Sequence, residues 1–387
     1  MASRDGDGDA RQTFQEAMEM LELPPTGGGS TSSGSVRRFM ATRAAWLPGA
    51  DLGDINIPSI RAGEKRPGYN AAYGGHVYAQ GALAMCRVQA DAEKKKKKKK
   101  GTKPLGLHTI HGYFTLPGYL DRPFVYTVTP LTSGRSFSTS SVTAHQPLTP
   151  SNNPGRDHFP LSDASLPLGP PAFTAMASFK SSAPHTRGGT VSSSEPPVQS
   201  RFATIFSSRP PEAWPPSPPV DIDLLTAVVG KEIVGTFPAV EMRKVDMTAF
   251  NSGLPLHEQR ELILYRLLAP LPAGGEWDDP NAHVCVHAFT VDRNGLLMMG
   301  NSLGIGVNPG RSASLSYSFV VHTNAEEAVM NEKEWWVQEC MFPRTGQGRG
   351  MVVCKLWSPA GVHVATEFQD GLCEAHEERG ERGGPRL

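Results

Sequence analysis

Apolar and polar positions alternate with a period of two along much of the first half of the chain, and this pattern predicts β-strands. The segments are 108–118, 124–146, in which Ser133-Gly134 divides two strands, and 171–180. Before them, residues 73–90 are apolar on nearly every side, so we predict a buried helix that begins at Gly74-Gly75. The first half is therefore predicted to contain one buried helix followed by four antiparallel strands.

The second half repeats this plan. Residues 281–299 predict a second apolar helix, capped from Asp278-Asp279-Pro280, with Asp292 in its middle. Strand patterns occupy 236–247, 259–271, 313–322, 335–345, 350–361 and 363–374. Two copies of a helix with an antiparallel sheet predict an internal duplication and an α+β fold, in which a helix lies on one face of each sheet.

The segments between these patterns set the predicted domain limits. Two structured domains are expected at 36–180 and 236–375, joined by a Pro/Ser-rich linker at 181–235. The other segments are a flexible leader at 1–35 with one short helix over 13–23, loop insertions at about 91–104 (with the lysine run Lys94–Lys100) and 147–171, and a polar tail at 376–387. We expect the 147–171 insertion to be a long surface loop.

Charge and cysteine content exclude several classes of protein. Lys+Arg and Asp+Glu both number 38, so no excess of one charge favours nucleic acid as a partner. Five widely spaced cysteines without a CxxC motif favour neither a disulfide framework nor a zinc site, and we expect no metal and no cofactor. The chain has no apolar N-terminal segment and no run of 18 apolar residues, so we expect neither secretion nor membrane insertion.

Candidate chemistry lies mainly in the last third of the chain. Alternation along 313–322 places Ser312, Ser314, Ser316 and Ser318 on one strand face and Ala313, Leu315, Tyr317 and Phe319 on the other. Asp292 and Gln369 are polar residues within apolar segments. From spacing alone, each of these side chains is also compatible with an ordinary solvent-facing position.

Two other motifs leave alternative chemistries open. Gly300-Asn301-Ser302-Leu303-Gly304 fits the GxSxG pattern of serine hydrolases, which requires a strand before the serine and a helix after it. Asp54-x-Asn56-x-Pro58 is faintly similar to a hydratase signature but lacks the histidine that should follow.

Several strings together resemble the type II (TesB-like) acyl-CoA thioesterase family. They are GGHVYAQGALA, LHTIHGYFTLPG, GRSFSTSSVTAHQ and FTAMASFK in the first half, and HVCVHAFTVDRNGLL, ASLSYSFVVH and GVHVATEFQDG in the second. The resemblance covers most of 36–180 and 236–375 in the family's order. It implies a double hotdog, in which two long helices are each wrapped by an antiparallel sheet and the sheets join edge to edge.

The resemblance also implies an activity and a site. In that family an Asp, a Ser or Thr, and a Gln hold the water that attacks a thioester, and the matching positions are Asp292, Ser314 and Gln369. Substrate contacts are expected near Gly74, Gly75 and His76, where backbone N–H groups can stabilise an oxyanion. The family often carries an Asp-His pair where this chain has Ser316-Tyr317, which bears on substrate preference.

The sequence thus predicts an enzyme that hydrolyses fatty acyl-CoA to a free fatty acid and coenzyme A, with one working site per chain. The alternatives are a non-hydrolytic acyl-CoA binding protein on the same fold, a hotdog hydratase or a serine hydrolase. A homo-oligomer is compatible with the pattern. The C-terminal Pro385-Arg386-Leu387 matches two of three positions of a peroxisomal import signal, so we expect a peroxisomal protein, with the cytoplasm as the alternative.

Overall fold

The computed structural model of the chain describes residues 11–25, 36–48, 71–96, 104–153, 158–183, 195–217, 237–293, 295–303 and 309–375. Its centre is one sheet of twelve strands: β1 (Met20–Leu23), β2 (Arg37–Ala41), β3 (Leu105–Phe114), β4 (Val125–Ser133), β5 (Phe137–His145), β6 (Phe173–Ser181), β7 (Val240–Lys244), β8 (Glu261–Leu267), β9 (Pro309–Val321), β10 (Trp336–Gly346), β11 (Arg349–Trp357) and β12 (His363–Ala375). The helices are α1 (Phe14–Ala17), α2 (Gly74–Lys96), α3 (Val198–Arg201), α4 (Ala203–Phe206), α5 (Thr248–Asn251), α6 (Pro280–Val291) and α7 (Gly295–Ser302).

The strand order shows the duplication directly. Neighbouring strands follow the order β1-β2-β4-β5-β6-β3-β9-β12-β11-β10-β8-β7. Each strand of the first half has a counterpart in the second half whose strand number is higher by six. Beyond the β3–β9 junction these counterparts follow one another in the reverse order. At that junction the strands are antiparallel, with Ile110 opposite Phe319 and Gly112 opposite Tyr317. Two sheets therefore join edge to edge, and the α+β double-hotdog prediction is confirmed.

The two long helices lie inside the structure, where they bring the halves together. α2 is predominantly buried, and its Tyr78 and Gln80 side chains form hydrogen bonds to Ile110 of β3 and Tyr126 of β4. α6 begins as predicted, with Asp279 as N-cap and Pro280 in the first turn, and nearly all of its residues are buried. α2 and α6 pack with the beginning of α2 beside the end of α6, which brings the two helix termini into one place.

The predicted helix over 281–299 is wrong in one respect that matters for the site. The structure ends α6 at Val291 and starts α7 at Gly295, so Asp292 caps a helix end and does not lie in the middle of a helix. Apolar residues continue on both sides of the break, because both helices are buried. Hydrophobic periodicity therefore carried no signal of the interruption.

The leader prediction also needs correction. The helix predicted over 13–23 covers only Phe14–Ala17, and Met20–Leu23 forms strand β1, which pairs with β2. Phe14 is 1% exposed and packs edge-on against Trp277 and Phe289. The described part of the leader thus contains a short helix and the outermost strand of the first half. Its apolar side chains are buried by strand pairing and by packing against distant residues, which a local helical pattern does not reveal.

Parts of the predicted 147–171 surface loop and of the predicted linker at 181–235 pack onto the sheet. Within 147–171, Pro147 bridges to Leu168, and Ala164 and Leu168 cover Leu23, Met40 and Val125. Within the predicted linker, α3 and α4 bury Val198 and Phe202 against the sheet of the second half. Arg201 donates two hydrogen bonds to the fully buried Glu339 carboxylate. Proline-rich composition predicts an extended chain, but it does not exclude packing of the apolar residues between the prolines.

All five cysteines are free thiols in the interior. Among the helices of the described residues, none combines the length and apolar character needed to cross a membrane. The lysine run from Lys97 onward and the tail at 376–387 lie outside the described residues.

Candidate active site

Asp292, Ser314 and Gln369 lie far apart in the sequence and meet in the structure. The Gln369 side-chain nitrogen Nε2 donates to Asp292 Oδ1 at 3.0 Å and to Ser314 Oγ at 2.9 Å. Asp292 and Gln369 are buried, whereas Ser314 is half-buried and is the most accessible of the three. A carboxylate, a carboxamide and a hydroxyl therefore form one hydrogen-bonded group.

A bulge in strand β9 directs Ser314 toward the other two residues. Asp370 of β12 lies opposite Ser316, but Gly371 lies opposite Ser314, so Leu315 is an extra residue in the pairing. Such an insertion shifts the alternation of side chains by one position. The prediction that Ser314 shares a face with Ser316 and Ser318, opposite Tyr317, is therefore wrong, because Ser314 Oγ lies 2.9 Å from Tyr317 Oη.

The end of α6 and the beginning of α2 together hold the Asp292 carboxylate. The backbone N–H of Gly75 donates to Asp292 Oδ2 at 2.6 Å. This N–H belongs to the first turn of α2, where backbone donors have no partner within the helix. The positive end of the helix dipole favours a carboxylate at the same place. The first half of the chain therefore contributes directly to a site whose side chains come from the second half.

Burial controls the acidity of Asp292. Removal from water raises the pKa of its carboxyl from 3.8 to about 7, while hydrogen bonds from Gly75 and Gln369 and the charge of Arg293 act in the opposite direction. A carboxyl with a pKa near neutrality is partly ionised at neutral pH and binds a proton more strongly than an ordinary aspartate. This is the acidity that general base catalysis near neutral pH requires.

Gly295 makes room for the Gln369 carboxamide. A Cβ at position 295 would lie 3.0 Å from Gln369 Oε1 and 3.2 Å from Val352 Cγ1. α7 therefore approaches β12 at a residue without a side chain, and the carboxamide is confined between them.

Three residues around this group were not predicted as site residues from the sequence. Tyr317 Oη lies 2.6 Å from Gln369 Nε2, Tyr73 donates to the backbone carbonyl of Phe289 near the end of α6, and Arg293 is buried against the Trp46 and Phe237 rings. The sequence did offer a signal for Tyr317, because this chain has Ser316-Tyr317 where the family often carries an Asp-His pair. No pattern in the sequence distinguished Tyr73 or Arg293, because their partners are distant in the chain.

The structure places the predicted substrate-contact residues at the start of α2 either beside Asp292 or in the interior. The Gly75 N–H is engaged by Asp292, and a Cβ at Gly74 would lie 3.1 Å from Asp292 Oδ2, so both glycines border the carboxylate. His76 is 1% exposed, faces the Phe289 ring, and has a pKa lowered to about 3 by burial. In this conformation His76 is a neutral interior side chain with almost no surface for a ligand.

The alternative motifs are placed less favourably. Ser302 of the GxSxG string is the last residue of α7, so a helix and not a strand precedes it, contrary to the requirement for a nucleophile elbow. Asp54, Asn56 and Pro58 lie outside the described residues. The part of the chain that the structure describes contains no group of three or more His, Cys, Asp or Glu side chains arranged to hold a metal ion.

Chemically, the Asp292–Ser314–Gln369 group can hold one polar molecule between an acceptor and donors. An ionised carboxylate only accepts hydrogen bonds and has about four acceptor positions, of which Gly75 and Gln369 occupy two. The Ser314 hydroxyl can donate or accept. A water molecule beside the group can therefore donate to Asp292 while its oxygen accepts from Ser314.

Comparisons with known proteins agree with this architecture. Residues 64–179 match the family model described as the acyl-CoA thioesterase N-terminal domain. The chain is 24% identical over 280 residues to human acyl-coenzyme A thioesterase 8. This alignment covers 69% of this chain and 72% of the human protein. The rat protein of the same name is also 24% identical, over 281 residues.

Solved structures show the same fold. The acyl-CoA thioesterase II TesB2 from Mycobacterium marinum superposes with a TM-score of 0.56 at 18% identity, covering 94% of this chain and 98% of that one. A tesB protein from Mycobacterium avium subspecies paratuberculosis gives 0.52 at 18% identity, covering 92% and 96%. Both likenesses extend over nearly the whole chain and so include both halves of the duplication.

Proposed function

This chain belongs to the type II (TesB-like) acyl-CoA thioesterase family, and from that premise we propose that it hydrolyses fatty acyl-CoA to a free fatty acid and coenzyme A through a water held by Asp292, Ser314 and Gln369. The observation that carries the assignment of these residues is their single hydrogen-bonded group beside the N-terminus of α2. A raised pKa at Asp292 supports its role as the base.

The proposed reaction needs a base more than it needs an acid. As the water oxygen forms a bond to the thioester carbonyl carbon, Asp292 accepts the water proton and the carbonyl oxygen becomes an oxyanion. When the oxyanion collapses, the carbon–sulfur bond breaks and coenzyme A leaves as a thiolate. Its thiol has a pKa of about 8.5 if cysteine is the model, so the thiolate departs readily and then takes the proton from Asp292.

The test is a thiol-release assay with acyl-CoA substrates of several chain lengths. Wild-type protein should release coenzyme A, and Asp292→Asn should lose on the order of 10²-fold to 10⁴-fold in kcat, the usual contribution of a general base. Asp370→Asn is the matched control, because its carboxylate is one position from Gln369 on β12 and pairs with the exposed Arg349. Equal activity of Asp292→Asn and wild type would remove Asp292 from the mechanism.

The alternative of a non-hydrolytic acyl-CoA binding protein makes a different prediction. Such a protein would be stabilised against thermal unfolding by acyl-CoA but would release no thiol above the Asp292→Asn background. The hydrogen-bonded group favours hydrolysis, since binding alone gives no reason to bury a carboxylate, a carboxamide and a hydroxyl together.

Two finer properties complete the proposal. The C-terminal Pro385-Arg386-Leu387, outside the described residues, supports a peroxisomal location over a cytoplasmic one, and fusion of the last twelve residues to a fluorescent protein tests it. A homo-oligomer also stays a prediction, and light scattering of the purified protein would determine the number of copies.

A further inference from the structure

Tyr317 lies within the hydrogen-bonded group, although strand alternation predicts it on the face opposite Ser314 and the proposed trio does not include it. Its hydroxyl oxygen is 2.6 Å from Gln369 Nε2 and 2.9 Å from Ser314 Oγ. The Gln369–Tyr317 distance is the shortest of the three that Gln369 Nε2 makes. Tyr317 is 3% exposed, so these hydrogen bonds lie in the interior.

A count of hydrogens shows what this fourth group does. Gln369 Nε2 has two hydrogens but three acceptors within reach, namely Asp292 Oδ1, Ser314 Oγ and Tyr317 Oη. One hydrogen goes to Asp292, and the second is shared by the two hydroxyl oxygens. The hydroxyls then bond to each other, so one of them donates and the other keeps a hydrogen that points out of the group.

Burial decides which hydroxyl keeps the outward hydrogen. The Tyr317 ring is enclosed by the rings of Tyr78 and Phe114, at centroid distances of 5.4 and 5.3 Å. Within the described residues, Ser314 Oγ is the only acceptor in hydrogen-bond reach of the Tyr317 hydroxyl, so a hydrogen directed elsewhere would be buried without a partner, which is costly. Ser314 is half-buried, so its hydrogen can reach solvent or a ligand. Tyr317 is therefore the donor and Ser314 Oγ the acceptor.

We propose that Tyr317 is a positioning residue of the water site: by donating to Ser314 Oγ beside Gln369, it fills the acceptor positions of that oxygen and leaves Ser314 to act only as a donor. This inference rests on the proposed function. A reacting water then presents its oxygen to Ser314 and one hydrogen to Asp292. Without the phenol, Ser314 can also accept from that water, which allows an orientation in which Asp292 does not receive the proton.

The test compares Tyr317→Phe with a matched loss of a neighbouring hydroxyl. Tyr317→Phe keeps the ring packing and should lower kcat about 10-fold to 100-fold, the range for loss of a buried hydrogen bond, with KM changed less than about 3-fold. Tyr78→Phe is the control, because its buried hydroxyl donates to the Ile110 carbonyl and not to the trio, and kcat should stay within about 3-fold of wild type. Thermal unfolding of both variants verifies that each is folded.

A double mutant separates positioning from general packing. If Tyr317 acts through Ser314, then Tyr317→Phe should change kcat by less than about 2-fold in the Ser314→Ala background, because the coupled partner is already gone. The same loss in both backgrounds would assign Tyr317 a structural role and overturn the inference. Tyr317→His retains a ring nitrogen that can donate and should keep more of kcat than Tyr317→Phe; the reverse order would also count against the inference.

The outcomes also distinguish this inference from the function on which it rests. If wild type releases thiol, Asp292→Asn does not, and Tyr317→Phe matches wild type, then the function stands and the role of Tyr317 fails. If wild type itself releases no thiol from any acyl-CoA tested, the proposed function fails and the positioning role fails with it.

Discussion

At the scale of single residues, the Asp292 carboxyl experiences opposing effects of known origin. Removal from water favours the protonated form, whereas the Gly75 N–H, the Gln369 amide and the Arg293 charge favour the ionised form. Burial outweighs the three, and the carboxyl titrates near pH 7 in place of its usual value near 4. Glu367, two residues before Gln369 on β12, is also buried, and its pKa is raised well above the usual value by burial and by Cys354 and Asp292.

This balance predicts the pH dependence of activity. Only the ionised Asp292 can accept the water proton, so kcat/KM should rise about tenfold per pH unit below about 7 and reach a plateau above it. The rate rises and does not fall with pH because the deprotonated form of Asp292 is the base. Initial rates of thiol release between pH 5.5 and 8.5, with Asp292→Asn as background, would measure it. A profile that is flat from pH 5.5 to 7 would contradict a base with a raised pKa.

At the scale of elements, the site depends on the close approach of α2 to the end of α6. A Cβ at Gly75 would lie 2.7 Å from the Phe289 carbonyl oxygen and 2.8 Å from the Tyr73 ring. The carbonyl belongs to helix backbone and cannot move alone. The position therefore admits glycine only, and the Gly75 N–H reaches Asp292 because the two helices meet there.

Gly75→Ala should therefore separate the helices and weaken both stability and activity. We expect a loss of about 1–3 kcal/mol in the free energy of unfolding, as for other overpacked sites, together with a drop in kcat. Gly81→Ala is the matched control on the same helix, because its Cβ would make ordinary contacts of 3.4 Å with Phe173 and Val142. Alanine there should be neutral or stabilise by up to about 1 kcal/mol. Urea unfolding and thiol release of both variants would show whether the effects differ as expected.

At the scale of the whole molecule, the two halves share one sheet and one core. The β3–β9 pairing continues the sheet across the junction, and the rings of Phe14, Tyr73, Phe237 and Phe289 pack together although they come from both halves. α3 and α4 then cover the sheet of the second half from the linker. Neither half has its full set of buried surfaces without the other.

The chain should therefore unfold as one cooperative unit. Far-ultraviolet circular dichroism reports on all strands and helices. Tryptophan fluorescence reports mainly on the second half, which contains most of the six tryptophans. The two signals should give coincident unfolding transitions in urea. Transitions that differ between the two signals would mean that the halves unfold separately, and would contradict the shared core.

Much of the fold was predictable because local patterns report burial. The paired strands β4 and β5, the capped start of α6 and the alternating strands of the second half were all predicted near their observed positions. The errors at Met20–Leu23, at the break after Val291 and in the linker have a common cause. In each of them, a distant partner in the fold decided the local structure, and a periodicity within one segment carries no information about that partner.

The sequence by itself determined the residue types of the site, the duplicated order of helix and strands, and the family that the strings resemble, since these depend on local pattern and composition. Only the tertiary structure decided that Ser314 turns toward Gln369, because a one-residue bulge at Leu315 shifts the strand alternation. Only the tertiary structure brought the Gly75 N–H and the Tyr317 hydroxyl to the group. The Gly75–Asp292 hydrogen bond joins residues 217 positions apart and requires the packed helices, and a linear pattern does not encode such a contact.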